Sequence, residues 1–248
     1  MRIKKHTRFQ RRRSGFAAAA ALTLSFSLAW SLGAPASRAR DELRAGADTL
    51  HGFARIVDGD TIVIGGAPIR LHGIDAPESA QSCKDAAGKP WPCGEEATRV
   101  LGQLIGGREV TCAFKTRDKY KRLVSVCYAG GFDLNAEMVR RGLAWAFVRY
   151  SRDYVTLEAE ARTRRRGIWQ ADNMPAWDYR SGAWQLATGE APKGCPIKGN
   201  VSAKGEKIYH TPWSPWYGKV KMDTDKGKRW FCSEDEAIKA GWRSALAH

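Results

Sequence analysis

Six cysteines constrain the fold of this chain of 248 residues more than any other feature of its sequence. All of them lie beyond residue 80, and their even number is typical of a protein that folds in an oxidising compartment. A zinc site is the alternative, but the chain has no Cys-x-x-Cys pair and no closely spaced Cys and His. We therefore expect three disulfides.

The spacing of the cysteines favours one pairing. The first two flank a Gly-Lys-Pro-Trp-Pro loop, which a disulfide between them can close. The next two lie in strand-like runs, and they fall directly opposite each other if Lys119 and Tyr120 form a two-residue hairpin loop. Opposed strand residues have Cα atoms about 4.5–5.5 Å apart, which is within disulfide range. The expected bonds are Cys83–Cys93, Cys112–Cys127 and, closing the C-terminal segment, Cys195–Cys232.

The N-terminus has the order of a secretory signal peptide. A basic run to Arg13 precedes an apolar stretch over residues 16–32, and small residues follow it. We expect cleavage near residue 39 and a secreted or periplasmic protein. An uncleaved envelope anchor is the alternative, because the apolar stretch is nearly long enough to span a bilayer. No later segment could do so, and we expect the mature chain to be a monomer without a transmembrane span.

The charge of the chain indicates what it binds. The formal net charge is +15, and residues 1–39 carry eight bases and no acids, so residues 40–248 keep +7. This excess favours a polyanionic partner, either nucleic acid or an anionic surface. The content of 43% hydrophobic residues with ten tryptophans is globular and argues against wholesale disorder.

Short strands and helices share the front half of the chain. Apolar runs separated by glycines predict strands over residues 52–76, and helical spacing predicts helices near residues 95–105, 134–141 and 154–166. The fold class is therefore α+β, a small antiparallel sheet or barrel with attached helices in the front half of the chain. Prolines and glycines predict an extended linker over residues 173–192. Residues 193–248 form a small, disulfide-stapled C-terminal domain ending in a helix.

Two acidic loops follow neighbouring apolar strands. Asp58 and Asp60 belong to an Asp-Gly-Asp turn, and Asp75 and Glu78 belong to an Asp-Ala-Pro-Glu loop. Each loop alone is ordinary, but strand pairing can bring Asp60 and Asp75 together. Clustered carboxylates repel one another unless a cation or a proton intervenes, and all-oxygen sites suit Ca²⁺ or Mg²⁺. We hypothesise a metal site at these loops.

Three motifs occur in a fixed order, at residues 57–61, 69–78 and 118–122. In this order and spacing they resemble the thermonuclease, or staphylococcal nuclease, family, and the segments 141–144 and 167–169 match it too. The resemblance covers about residues 50–172, and residues 193–248 resemble a small module found after secreted nuclease domains. It implies a five-stranded OB-fold barrel with attached helices, and Ca²⁺-dependent hydrolysis of DNA and RNA that leaves 3′-phosphates.

The resemblance assigns roles to the acidic loops. Asp60, Asp75 and the backbone carbonyl of Ala76 match the calcium ligands, whereas Asp58 lies beside the metal without matching a ligand. Glu78 matches the carboxylate that orients or deprotonates the attacking water.

The resemblance also assigns the substrate contacts. Arg70 and Arg122 match the two guanidinium groups that hold the scissile phosphate, since a planar guanidinium can meet two oxygens at once. The remaining matches are a phosphate contact, a nucleotide contact and a second tyrosine near the nucleotide: Lys119, Tyr120 and Tyr150, respectively. Lys121 stands where the family usually has glycine, a departure that could reshape the hairpin.

The sequence thus predicts a secreted endonuclease that hydrolyses DNA and RNA by metal- and arginine-assisted attack of water. The alternative is a non-catalytic nucleic-acid-binding module of the same fold. A decayed site would be expected to have lost one member of the set, and this chain keeps all five: Asp60, Arg70, Asp75, Glu78 and Arg122.

Overall fold

The computed structural model describes residues 49–245, so the predicted signal peptide lies outside the described residues. The helices are α1 (Cys93–Ile105), α2 (Leu134–Arg140), α3 (Val155–Thr163), α4 (Ala176–Glu190) and α5 (Glu234–Lys239). Single 3₁₀ turns lie at Gly167–Gln170, Pro192–Gly194, Tyr217–Lys219 and Thr224–Lys226. No helix within residues 49–245 combines the length and the apolar character needed to cross a membrane.

The strands of the front half are β1 (Thr49–Ile56), β2 (Thr61–Ile64), β3 (Ala67–Leu71), β4 (Ile74–Asp75), β5 (Cys83–Lys84), β6 (Pro90–Trp91), β7 (Glu109–Arg117), β8 (Leu123–Ala129), β9 (Phe132–Asp133) and β10 (Trp145–Ala146). The back half holds β11 (Ile197–Val201), β12 (Lys207–His210), β13 (Arg229–Phe231) and β14 (Arg243–Ser244).

Five strands close into a barrel. They pair in the order β3-β2-β1-β7-β8, and β8 pairs back onto β3. All of these pairings are antiparallel except the closing one between β3 and β8, which is parallel. The predicted fold class, α+β with a five-stranded barrel and attached helices, is confirmed. The barrel is mixed rather than purely antiparallel, because β3 and β8 run in the same direction where it closes.

Alternating apolar residues fill the barrel. Ile62, Ile69 and Leu71 are fully buried, and α1 covers them with a face spaced as an amphipathic helix requires: Ala97, Val100, Leu101 and Ile105. The three helices predicted in this half are confirmed to within a few residues. Asp133 caps α2 as expected, because its carboxylate accepts a hydrogen bond from the Ala136 amide at 2.9 Å.

All three predicted disulfides are confirmed. Cys112 and Cys127 are direct partners in the register of β7 and β8, and their Cα atoms are 4.0 Å apart. The other two bonds close the loop before α1, Cys83–Cys93, and link the turn before β11 to the end of β13, Cys195–Cys232.

The C-terminal strands form a sheet of their own in the order β13-β11-β12-β14, in which only β12 and β14 are parallel. Phe231 and Trp242 fill a small core behind it, with ring centroids 5.3 Å apart. Ser233 caps α5 by accepting a hydrogen bond from the Glu236 amide at 3.1 Å. The boundary of this module at residue 193 stays a prediction.

The extended linker predicted over residues 173–192 is wrong. Most of this segment is the 15-residue helix α4, which starts directly after Pro175 and contains Gly182 in its interior and Gly189 in its last turn. An interior glycine costs about 1 kcal/mol relative to alanine. Packing offsets this cost, because Ala176 is fully buried and Trp177 packs against the barrel side.

The disulfide between β7 and β8 supplies a measurable part of the stability. Closing a loop of this length, with 15 residues of sequence separation, stabilises a folded chain by about 3 kcal/mol. We expect the double variant Cys112→Ala/Cys127→Ala to lose about that free energy of unfolding, measured by urea titration of tryptophan fluorescence. An unchanged midpoint would contradict this role.

Candidate active site

The two acidic loops meet at one end of the barrel, around Arg70. Arg70 lies on β3 directly opposite Thr61 of β2, so its side chain reaches both loops. Its Nη1 donates to Asp60 Oδ1 at 2.8 Å and its Nη2 donates to Asp75 Oδ1 at 2.6 Å. The convergence of Asp60 and Asp75 that strand pairing predicted is therefore present, with a guanidinium between them.

The loop that carries Asp60 is packed too tightly to be an ordinary surface turn. A Cβ on Gly59 would lie 2.7 Å from the Cβ atoms of both Ala76 and Ala97, so only glycine fits. The Ala76 amide donates to Asp60 Oδ2 at 2.9 Å, which ties the first acidic loop to the second. Asp58 accepts a hydrogen bond from the Asp60 amide at 3.0 Å. The packing at Gly59 and these hydrogen bonds therefore fix the position of the Asp60 carboxylate.

A second arginine, which the sequence reasoning missed, enters the same cluster from α4. Arg180 Nη2 donates to Asp75 Oδ2 at 2.7 Å, and its Nη1 donates to Asp75 Oδ1 at 3.1 Å and to Glu78 Oε1 at 2.6 Å. Asp75 is completely buried, whereas the Arg180 side chain keeps 22% of its surface exposed. Arg180 therefore engages both a predicted metal ligand and the predicted base.

The position of Arg180 follows from how α4 is anchored. Asp75 of β4 pairs with Trp145 of β10, and the Trp145 ring meets the Trp177 ring edge-on at 6.0 Å. Trp177 also stacks on Phe147 at 5.6 Å. Arg180 comes three residues after Trp177, so it faces the same side of the helix and reaches Asp75. The sequence held a usable signal: Pro175 before Trp177, Arg180 and Trp184 at helical spacing.

Burial raises the pKa values of two acids of the cluster, whereas an arginine and a backbone amide lower the pKa of a third. Burial, followed by the Asp60 charge, raises the pKa of Asp58 to about 7. Burial also raises the pKa of Glu78 to about 8, with Arg180 opposing that shift. Burial acts on Asp60 in the same sense, but Arg70 and the Ala76 amide outweigh it and hold the pKa of Asp60 below its usual range. The cluster therefore combines an ionised acid with acids that can take up protons near neutrality.

The donor set suits a hard divalent cation, although arginines hold its oxygens here. The carboxylates of Asp60 and Asp75 and the Ala76 carbonyl are all oxygen donors, as Ca²⁺ prefers. Within residues 49–245, no three acidic, His or Cys side chains are grouped so that they could hold a metal ion. Arg70 and Arg180 together contact both oxygens of Asp75.

The hairpin between β7 and β8 carries the predicted substrate contacts. Asp118 organises its loop by accepting hydrogen bonds from the Tyr120 amide, the Arg122 amide and Arg122 Nε, at 2.9, 3.0 and 2.7 Å. The amino group of Lys119 lies 4.8 Å from the centre of the Tyr120 ring. Arg122 therefore sits in a fixed loop, near Lys119 and Tyr120 as predicted.

The hairpin loop itself differs from the two-residue loop that was predicted. The strands end at Arg117 and resume at Leu123, and their register shifts by one residue between Phe114 and Thr116. Lys121 takes a left-handed backbone conformation with φ of 64°, which glycine adopts at little cost. The extra loop residue is absorbed by the shift, so Cys112 and Cys127 remain opposite each other.

The C-terminal module reaches this hairpin, and Tyr150 lies apart from it. Burial and the Glu234 carboxylate at the start of α5 raise the pKa of Tyr120, and the Tyr209 hydroxyl donates to the same carboxylate at 3.0 Å. Tyr150 is 69% exposed and meets the Phe147 ring edge-on at 5.0 Å. The structure therefore groups Asp60, Arg70, Asp75, Ala76 and Glu78, and the charge of Arg122 on the hairpin is close enough to help lower the pKa of Asp60.

The chain is similar to two protein families and to several known proteins. Residues 68–171 match the family model described as "Staphylococcal nuclease homologue", and residues 177–244 match the one described as "ArfC". An "Uncharacterized endonuclease" of Escherichia coli O157:H7 is 37% identical over 140 residues, which cover 53% of this chain and 85% of that protein.

Two further relatives share the same region. "Succinoglycan biosynthesis protein ExoI" of Rhizobium meliloti (strain 1021) is 34% identical over 144 residues, covering 55% of this chain and 73% of that protein. "Staphylococcal-like nuclease CAN1" of Arabidopsis thaliana is 34% identical over 115 residues, which cover 45% of this chain and 32% of that protein.

The left-handed conformation of Lys121 gives a stability test of the hairpin. A residue with a Cβ is destabilised by roughly 1–2 kcal/mol in the left-handed region. Glycine avoids this strain, but it gives back part of the gain because its unfolded chain has more conformational freedom. We expect Lys121→Gly to raise the free energy of unfolding by about 0.5–1 kcal/mol in urea titrations. Lys121→Ala is the matched control, since it removes the charge and keeps the strain. Equal stability of the two variants would contradict the strain.

Proposed function

Because the chain belongs to the staphylococcal nuclease homologue family, we propose that it is a Ca²⁺-dependent nuclease that hydrolyses phosphodiester bonds of DNA and RNA. Its class, a nuclease of the phosphodiesterase type, follows from the family and from relatives named as endonucleases. The cation, the breadth of substrate and the 3′-phosphate products are our proposals. The observation that carries them is the convergence of Asp60, Arg70, Asp75 and Glu78 at one end of the barrel.

The acidic loops supply the proposed metal site. Asp60, Asp75 and the Ala76 carbonyl would hold the ion, and the backbone around Gly59 fixes the two loops against each other. When bound, the ion would polarise the phosphoryl oxygens and help to position water. Asp58 would stay outside the ligand set and tune the charge of Asp60, to whose amide it is hydrogen-bonded.

Glu78 is the proposed base that orients or deprotonates the attacking water. Its backbone is held by the Gln81 side chain, which accepts a hydrogen bond from the Glu78 amide at 3.2 Å. A carboxyl group with a pKa near 8 is well matched to proton transfer around neutral pH. Such a base contributes roughly 10²–10⁴ in rate.

Two arginines would hold the scissile phosphate. Attack by water adds negative charge to the phosphoryl oxygens, and a guanidinium can meet two of them with parallel hydrogen bonds. Arg122 is presented by the Asp118-braced loop, and Arg70 is presented by β3. Lys119 and Tyr120 on the hairpin, together with Tyr150, would contact the flanking phosphate and nucleotide.

We further propose that the enzyme acts outside the cytoplasm, in the periplasm or the medium. Three disulfides, one of them inside the barrel, are typical of proteins that fold in an oxidising compartment.

Two conservative variants test the mechanism. We expect Glu78→Gln to lose about 10²–10⁴ in the rate of DNA and RNA cleavage, because the amide cannot accept a proton. We expect Arg122→Lys to lose roughly 10²–10³, because an ammonium group cannot bridge two oxygens. The measurement is cleavage of single- and double-stranded DNA and RNA, with Ca²⁺ and then with a chelator, and analysis of the product ends.

The controls lie on α1, where Glu96 and Arg99 form an exposed ion pair. Glu96→Gln and Arg99→Lys make the same chemical changes there and should leave cleavage unchanged. Near wild-type turnover in Glu78→Gln or Arg122→Lys would overturn the role of that residue. Cleavage that survives the chelator would overturn the calcium requirement. Binding of nucleic acid without any cleavage would favour the non-catalytic module.

A further inference from the structure

Asp75, a proposed ligand of the cation, and Glu78, the proposed base, already accept hydrogen bonds from an arginine of the chain itself. Both oxygens of Asp75 accept hydrogen bonds from Arg180, and Glu78 accepts a third from the same guanidinium. Arg70 takes one oxygen of each aspartate, so Asp75 Oδ2 has Arg180 as its partner. Arg180 therefore contacts both oxygens of Asp75, and it shares Oδ1 with Arg70.

A calcium ion and Arg180 cannot occupy this position together. Ca²⁺ binds carboxylate oxygens at about 2.3–2.6 Å. The Arg180 nitrogens already lie 2.7 and 3.1 Å from the two oxygens of Asp75, so an ion that approached Asp75 from the side that Arg180 occupies would overlap the guanidinium. The two positive charges would also repel each other strongly at this buried carboxylate.

The backbone of Arg180 is held against the barrel, whereas its side chain reaches the surface. Trp177 packs on Trp145 and Phe147, and the Gln81 side chain donates to the Met174 carbonyl at 2.7 Å, so the start of α4 is held to the barrel. The Arg180 side chain is partly exposed. A change of rotamer could therefore take the guanidinium out of the cluster while α4 stays docked.

We infer that Arg180 is an internal counter-ion that holds Asp75 and Glu78 in the metal-free protein and is exchanged for the divalent cation when the site is loaded. This inference rests on the proposed function. It makes α4, which lies outside the barrel, a determinant of the metal affinity. Thermodynamic linkage requires binding of the metal ion and the contacts of the Arg180 guanidinium to weaken each other. A change that strengthens the Arg180 contacts therefore lowers the affinity for the metal ion.

The test is calcium affinity without substrate, measured by isothermal titration calorimetry and by the rise in melting temperature with Ca²⁺. We expect Arg180→Gln to bind Ca²⁺ roughly tenfold more tightly than the unaltered chain, within the usual range of coupling between competing ligands. The variant should be less thermostable without Ca²⁺, since two buried carboxylates lose their partner, and should gain more from Ca²⁺. Arg180→Lys keeps the charge with fewer contacts and should fall between the two.

Arg99→Gln is the matched control, because it removes one arginine from an exposed ion pair on α1. Its calcium affinity should equal that of the unaltered chain. A purely structural Arg180 would give equal or weaker calcium binding in Arg180→Gln, and that result would overturn the inference while leaving the nuclease proposal standing. If Arg180→Gln does not fold, Arg180→Lys decides by the same criterion. Failure of Ca²⁺ to bind to any folded variant, together with chelator-resistant cleavage, would overturn the calcium proposal itself.

Discussion

Burial of Asp75 is the constraint on which the rest of the site depends. A carboxylate removed from water is costly unless positive charge and hydrogen bonds compensate for it. The barrel supplies one arginine from β3, and the helix beyond it supplies another from α4. The packing of Trp145, Phe147 and Trp177 can be understood in the same terms, because it holds the start of α4 close enough for Arg180 to reach the acid.

Features encoded in short stretches of sequence could be predicted. The disulfide between β7 and β8 follows from the spacing of its cysteines, and α1 and α2 follow from apolar periodicity and from the cap at Asp133. The meeting of Asp60 and Asp75 also followed from local information, since both lie at the ends of neighbouring short strands. In each case the interacting residues are close in the chain or belong to adjacent strands.

Features decided by distant contacts could not be predicted in this way. Prolines flank α4 and two glycines lie within it, so the local preference of this segment indicated an extended linker. Its helix is stabilised by Trp145, more than 30 residues earlier, so the contact of Arg180 with Asp75 could not be inferred from either segment alone. The hairpin loop is a smaller example, because the left-handed Lys121 and the compensating shift between Phe114 and Thr116 are matched to each other.

The place of α4 in the chain bears on how this protein can be divided. Residues 50–172 look like a complete nuclease domain by motif and by barrel closure, and a gene fragment or a protease cut at that boundary would preserve every motif residue. It would nevertheless remove the guanidinium that neutralises Asp75 and Glu78 and the indole that covers Trp145. The group of side chains in contact at this end of the barrel therefore extends one helix past the domain that its motifs define, and a truncation that keeps every motif residue would still remove part of that group.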